Sequence, residues 1–95
     1  MAFRSGSLWS ERNELRCLAL MKKLHEEGSP AGRQAEYSRA LAASTGLSVR
    51  SVNAKIGNFK SLAGLIGPSN WSQNSKAAWE KYGHLPAAEI QALTR

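Results

Sequence analysis

The chain has 95 residues, a formal net charge of +6 and no aspartate, so its acidic side chains are seven glutamates. That length builds one domain with a modest core, and Trp9, Trp71, Trp79, Phe59, Tyr37 and Tyr82 supply enough large apolar surface to argue against disorder. A lone Cys17 excludes an internal disulfide or a cysteine metal set and fits a reducing, cytoplasmic setting. No apolar run nears the roughly 20 residues of a membrane span, and Met1–Gly6 lacks the apolar centre of a signal peptide.

Residues 1–8 read as a flexible leader, and 9–95 as a single helical domain. "WSERNELRCLALMKKLHEEG" predicts the strongest helix. Ser10 is placed to cap it, Glu11 and Glu14 favour its positive end, and Gly28 stops it. Cys17, Leu20, Met21 and Leu24 follow at i, i+3, i+4 and i+7, and Leu15 and Leu18 widen the apolar arc, so this helix must touch neighbours on more than one side.

"EGSPAGRQ" is a linker. A second helix is predicted from about Arg33, with Tyr37, Ala40, Leu41 and Ser44 as a short inward stripe. Gly46 suits the left-handed end of that helix, Leu47 can plug the core, and Ser48 can cap a third helix through the amides of Arg50 or Ser51. In the third helix, about 48–59, Val49, Val52, Ile56 and Phe59 form the apolar stripe, and Arg50, Asn53, Ala54 and Lys55 are expected on the opposite face. Gly57 could end this helix early or let it run on to Lys60.

"AGLIGPSNWSQN" reads as a turn or a minimal strand pair resembling a wing. "SKAAWEKYG" predicts a helix capped by Ser75, with Ala78, Trp79 and Tyr82 inward. "LPAAEIQALTR" predicts another, with Pro86 in its first turn and Ile90 and Leu93 inward. The expected fold is all-α, a compact bundle of four to five short helices.

Charge and pattern converge on the second and third helices. Between Ser10 and Gly28, Arg12, Arg16, Lys22 and Lys23 balance Glu11, Glu14, Glu26 and Glu27, whereas Arg33, Arg39, Arg50, Lys55 and Lys60 are opposed only by Glu36. A localised positive field is the footprint of a polyanion-binding surface. Around the Gly-Leu-Ser turn, Ala42, Gly46, Leu47 and Val52 occupy the crossing, turn and anchor places of a helix-turn-helix, supported by Leu41. The next anchor, Ile56, falls one residue late, and Lys55 takes the expected place.

In such a motif the polar N-terminal part of the third helix enters the major groove. Arg50, Ser51, Asn53 and Ala54, next to Ser48, are typed for base edges, and Lys55, Asn58, Lys60, Arg33 and Arg39 for phosphates. Double-stranded DNA is the expected partner, which would make the protein nucleoid-associated. A homodimer is compatible with that role. The competing reading is a solvated polar face on a helical protein-interaction adaptor that binds no nucleic acid. RNA is a weaker variant, since no aromatic-studded sheet motif is present.

The segment "RALAASTGLSVRSVNAKIGNFKSLAGLIG", followed by "SKAAWEKY", resembles the small helical DNA-binding domains of bacterial and phage defence-related proteins. In restriction proteins of that kind such a domain often precedes an HNH-type nuclease domain. The likeness runs from about Trp9 to Tyr82 and implies DNA contact by Arg50, Ser51, Asn53 and Lys55, with Phe59 and Trp79 in the core. It implies a non-catalytic targeting or regulatory module, either cut from a longer protein with a fused or partner nuclease or free-standing.

No enzyme is legible. His25 and His84 stand apart from any metal-ligand spacing, Glu26 and Glu27 diverge on a helix and read as solvated, Cys17 sits among apolar residues, and "GLIGPSN" lacks the spacing and lysine of a phosphate loop. No catalytic residue, metal site or cofactor is expected. Trp9 and Trp79 read as core. Trp71, among polar residues in "PSNWSQN", reads either as a core plug or as a ligand or groove contact.

Overall fold

A computed structural model describes residues 9–95, so the leader expected over 1–8 lies outside the described residues. Five helices follow one another: α1 (Glu11–Glu26), α2 (Arg33–Thr45), α3 (Val49–Leu62), α4 (Gln73–Tyr82) and α5 (Ala87–Ala92). There is no strand among the described residues, and the protein is an all-α bundle.

Helix α1 organises the bundle and packs against all four others. The Ser10 side chain accepts from the Asn13 amide at its start. At its end the amides of Gly28 and Ser29 bond back to the carbonyls of His25 and Leu24, the paired closure that satisfies orphan carbonyls. Leu15, Cys17, Leu18, Ala19, Met21 and Leu24 are all buried, which accounts for the wide apolar arc in its sequence.

Helix α3 supplies the facing half of the core with Val52, Ile56 and Phe59, each wholly buried. Val49 belongs to the expected stripe but is exposed, because it is the first helical residue and lies at the open end of the helix. Gly57 does not end the helix, which continues to Leu62. There Gly64, at φ +77, lets the amides of Gly64 and Leu65 turn back to the carbonyls of Ser61 and Lys60. The loop from Leu65 onward contains no wing, since the chain re-enters a helix at Gln73 without pairing.

Helix α2 docks differently from the sequence expectation. Its buried residues are Ser38 and Ala42. Tyr37 and Leu41 pack at the edge of the core, and Ala40 and Ser44 are exposed. Small and hydroxyl-bearing residues at i and i+4 let α2 approach α3 closely, so the contact face is set by size and hydrogen bonding more than by hydrophobicity.

Two helix boundaries also differ from expectation. Helix α4 is capped by Ser72, which accepts from the Ser75 amide at 3.1 Å, one turn before the expected cap. Ser75 is then inside the helix with its hydroxyl directed into the core. Helix α5 buries Ala87 and Ile90, while Leu93 is exposed. Each i+3 step falls about 60° short of a full turn, so a third such residue has drifted off the inward face, and here it also follows the last helical residue.

Polar ties clamp α5 along α1. Ala87 N–H donates to Glu26 Oε2 at 2.9 Å, and Arg12 Nε donates to the Thr94 carbonyl at 2.6 Å. The end of α1 therefore meets the start of α5 and the reverse, an antiparallel arrangement. Glu26, read as a solvated residue, satisfies an amide in the first turn of α5.

Gly83 follows α4 with an ordinary helical φ of −63°, where alanine is intrinsically preferred by about 1 kcal/mol. A Cβ there would stand 2.6 Å from both Cδ2 and the carbonyl oxygen of Trp79. Gly83→Ala should therefore lower stability by about 1–3 kcal/mol in urea unfolding. An unchanged or raised midpoint would contradict this packing of the Trp79 ring.

Candidate nucleic-acid interface

The corner between α2 and α3 is built from short-range hydrogen bonds. Gly46 adopts φ +81, a conformation that costs a residue with a Cβ about 1–2 kcal/mol, and its amide bonds to the Ala42 carbonyl. Thr45 Oγ1 donates to the Leu41 carbonyl at 2.7 Å and accepts from the Leu47 amide at 3.2 Å. Leu47 is buried beneath the turn. Ser48 Oγ then caps α3 by accepting from the Ser51 amide at 3.0 Å, and it bonds the Ser51 hydroxyl at 2.9 Å. Both serines lie at the exposed end of α3, with their hydroxyls engaged in the cap.

Of the remaining expected contact residues, Arg50 and Ala54 face solvent on α3 and Arg39 faces solvent on α2. Neither Arg39 nor Arg50 makes an ion pair or hydrogen bond with the described residues. Arg50, Ala54 and Asn58 recur every fourth residue and form one outer row along α3. At its far end Asn58 Oδ1 accepts from Ser69 Oγ at 3.1 Å, which pins the following loop to the helix. Arg33 is already paired with Glu27 and Glu36 at 3.5 and 3.6 Å, so its charge is largely offset.

Asn53 does not point outward. Its Oδ1 accepts from the Ser38 hydroxyl and from Gln34 Nε2, and Gln34 Oε1 in turn accepts from Lys60 Nζ at 2.6 Å. Ser38, Asn53, Gln34 and Lys60 thus form a polar seam between α2 and α3. A groove of about 420 Å³ opens beside it, walled by Pro30, Gly32, Ala35 and Leu24, and no carboxylate lines it.

Lys55 is the clearest correction. Expected on the polar face, it is turned into the bundle, where its Nζ lies 3.1 Å from Glu14 Oε1 and 2.9 Å from Ser75 Oγ, with the Trp9 ring centroid 4.6 Å away. Ser75 accepts from Lys55 and donates to Glu14 at 2.8 Å, so one hydroxyl links base and acid. Glu14 is 1% exposed and Ser75 fully buried. The ammonium above the Trp9 ring gains a cation–π contact in a desolvated setting. Lys55 therefore joins α1, α3 and α4, and its charge is not available to a partner at the surface.

Sequence reading missed Glu14, Ser75 and Gln34 as structural polar residues. Glu14 and the inward turn of Lys55 are legible from their register. Glu14 precedes Cys17, Leu18 and Met21 at helical spacing, and Lys55 lies three residues after Val52 and four before Phe59, so each charge falls on a core-facing register. One acid and one base in such places form a pair.

The charge pattern is also sharper than a count over 33–60 suggests. Between Glu36 and Glu80 the chain contains no acidic residue, while Arg39, Arg50, Lys55, Lys60 and Lys76 all fall there. The whole of α3 and both of its flanking loops lie in this stretch. His25 and His84 are exposed, and no group of three metal-ligating residues comes together among the described residues. No helix among them is long and apolar enough to cross a membrane.

Removing one member of a buried ion pair strands the other, at a cost of about 3–5 kcal/mol. Lys55→Met should destabilise the protein by that amount in urea, and adding Glu14→Gln should recover most of the loss. Equal stability of parent and Lys55→Met would show that the pair does not hold the bundle. Cys17 supplies a second check: burial, then the neighbouring Glu14 carboxylate, push its thiol up from 9.0 to about 12, with Lys55 opposing. The folded thiol keeps its proton where the unfolded chain would release it, so this stabilisation is complete below pH 9 and is lost as pH rises towards 12. Native protein should resist thiol alkylation at pH 8 and react at once in denaturant; rapid native labelling would refute this burial.

No known protein family, curated protein or solved structure matches this chain.

Proposed function

We propose that this is a non-catalytic DNA-binding domain that lays α3 in the major groove of duplex DNA. The observation that carries the reading is the pair Arg39 and Arg50. They lie exposed and uncommitted on either side of the Gly46 turn, in a stretch from Tyr37 to Trp79 that holds no acid. A polyanion approaching this stretch meets positive charge, and the acid that borders it, Glu36, is paired with Arg33. Glu14 lies elsewhere in the sequence, and Lys55 offsets its charge inside the bundle.

In this reading Arg50, near the N-terminal end of α3, reaches a base edge, where a guanidinium can bond guanine in two places. Ala54 follows on the same row as an apolar contact. Arg39 and Lys60 meet phosphates on either side. Ser51, Asn53 and Lys55 instead hold the helix cap, the α2–α3 seam and the core. So few phosphate contacts give modest affinity, which favours action as a targeting module, either beside a fused or partner nuclease or as a homodimer.

Fluorescence anisotropy with a random duplex at two salt concentrations tests this. Binding should fall steeply with salt, and Arg39→Ala should weaken every sequence alike while lowering the log–log salt slope by about 0.9. Arg50→Ala should cost about 1–3 kcal/mol on a selected site and relax its specificity. A parent protein that ignores DNA at low salt would remove this reading and leave the adaptor role to be tested.

A further inference from the structure

Trp71 stands apart from the other tryptophans. Trp9 and Trp79 pack against the core, and each has a lysine ammonium over its ring. Trp71 is absent from the core, is 36% exposed, and lies in a loop whose Leu65 and Ile66 are 45% and 50% exposed. More than a third of this large aromatic residue therefore stays in contact with water.

Its position is fixed from two sides. Ser69 is hydrogen-bonded to Asn58, the last residue of the outer row that begins at Arg50. Ser72 is the N-cap of α4. Trp71 therefore hangs between two anchored residues, within about 7 Å of chain from Ser69, at the C-terminal end of the row that carries Arg50 and Ala54. The loop from Leu65 to Ser72 holds no charged residue, so no carboxylate of its own opposes a polyanion at the ring.

We infer that Trp71 is a stacking platform for an unpaired or unstacked nucleobase, and that the domain prefers DNA carrying such a base over fully paired duplex. This rests on the DNA-binding reading and adds a substrate class to it. An indole face stacks on any base, and one such contact strengthens binding by about tenfold. In fully paired duplex the bases already stack on one another, and the contact is lost unless the duplex is opened. Arg39 and Lys60 then hold the strand by charge while the Trp71 ring takes the base.

Competition binding decides the matter, with three probes: a matched duplex, the same duplex with one unpaired base, and its single strand. The parent should bind the unpaired-base duplex about tenfold more tightly than the matched one. Trp71→Ala should erase that preference while leaving matched-duplex affinity unchanged, and Trp71→Phe should keep most of it. Binding should also quench parent tryptophan emission, and Trp71→Phe should remove the quenching. A preference that survives in Trp71→Ala, or a parent with none, overturns the inference. If Arg39→Ala and Arg50→Ala still weaken salt-dependent duplex binding, the DNA reading stands without it. A parent that binds none of the probes overturns both.

Discussion

The bundle depends on a buried charge pair being satisfied at three points. Glu14 on α1, Lys55 on α3 and Ser75 on α4 meet where water is excluded, and each residue's polar atoms find a partner in the other two. Such a pair is a poor source of net stability, because the cost of desolvating both charges offsets most of their attraction. Its effect is directional. Apolar residues tolerate many relative rotations, but a hydroxyl bridging a carboxylate and an ammonium tolerates few. The angle at which α3 leaves the core is thereby constrained, and with it the direction in which the outer row of α3 faces.

A second polar arrangement complements it on the other side of α3. Ser38, Asn53, Gln34 and Lys60 join α2 to α3 through side chains only partly shielded from solvent. Helix α3 is thus fixed from inside by ionic contacts and from its flank by an amide and hydroxyl seam, leaving the Arg50–Ala54–Asn58 row exposed. Several polar residues that resemble surface recognition groups in the sequence are committed to this framework.

This commitment explains what could and could not be read in advance. Ser10, Gly28, Gly46, Leu47 and Ser48 act through local backbone geometry, and each has the structural place its sequence context implies. The inward faces of α1 and α3 follow from apolar spacing. The face of α2 did not, because Ser38 and Ala42 bury through smallness and a hydrogen bond, which a hydrophobic count passes over. Ser75, expected as the cap of α4, lies one turn inside it with its hydroxyl on Glu14, and Ser72 caps the helix instead. Lys55 was assigned outward because lysines ordinarily are, although its register pointed inward. Arg50 and Arg39 lack tertiary partners among the described residues and face solvent, as their places in the sequence imply.

The placement of the glutamates has one further effect. Every glutamate but Glu89 has a hydrogen-bond or ion-pair partner, on α1, the loop after it, the first turn of α2, or α4. Helix α3 has none. The outer row of α3 is therefore neutral or positive, and the acid that does reach α3, Glu14, is buried against Lys55. A charged face of this kind on a body of net charge +6 feels an external field before it touches anything. Near any extended polyanion it would arrive with α3 already leading, so that orientation, ordinarily settled by repeated unproductive collisions, would be resolved during the approach.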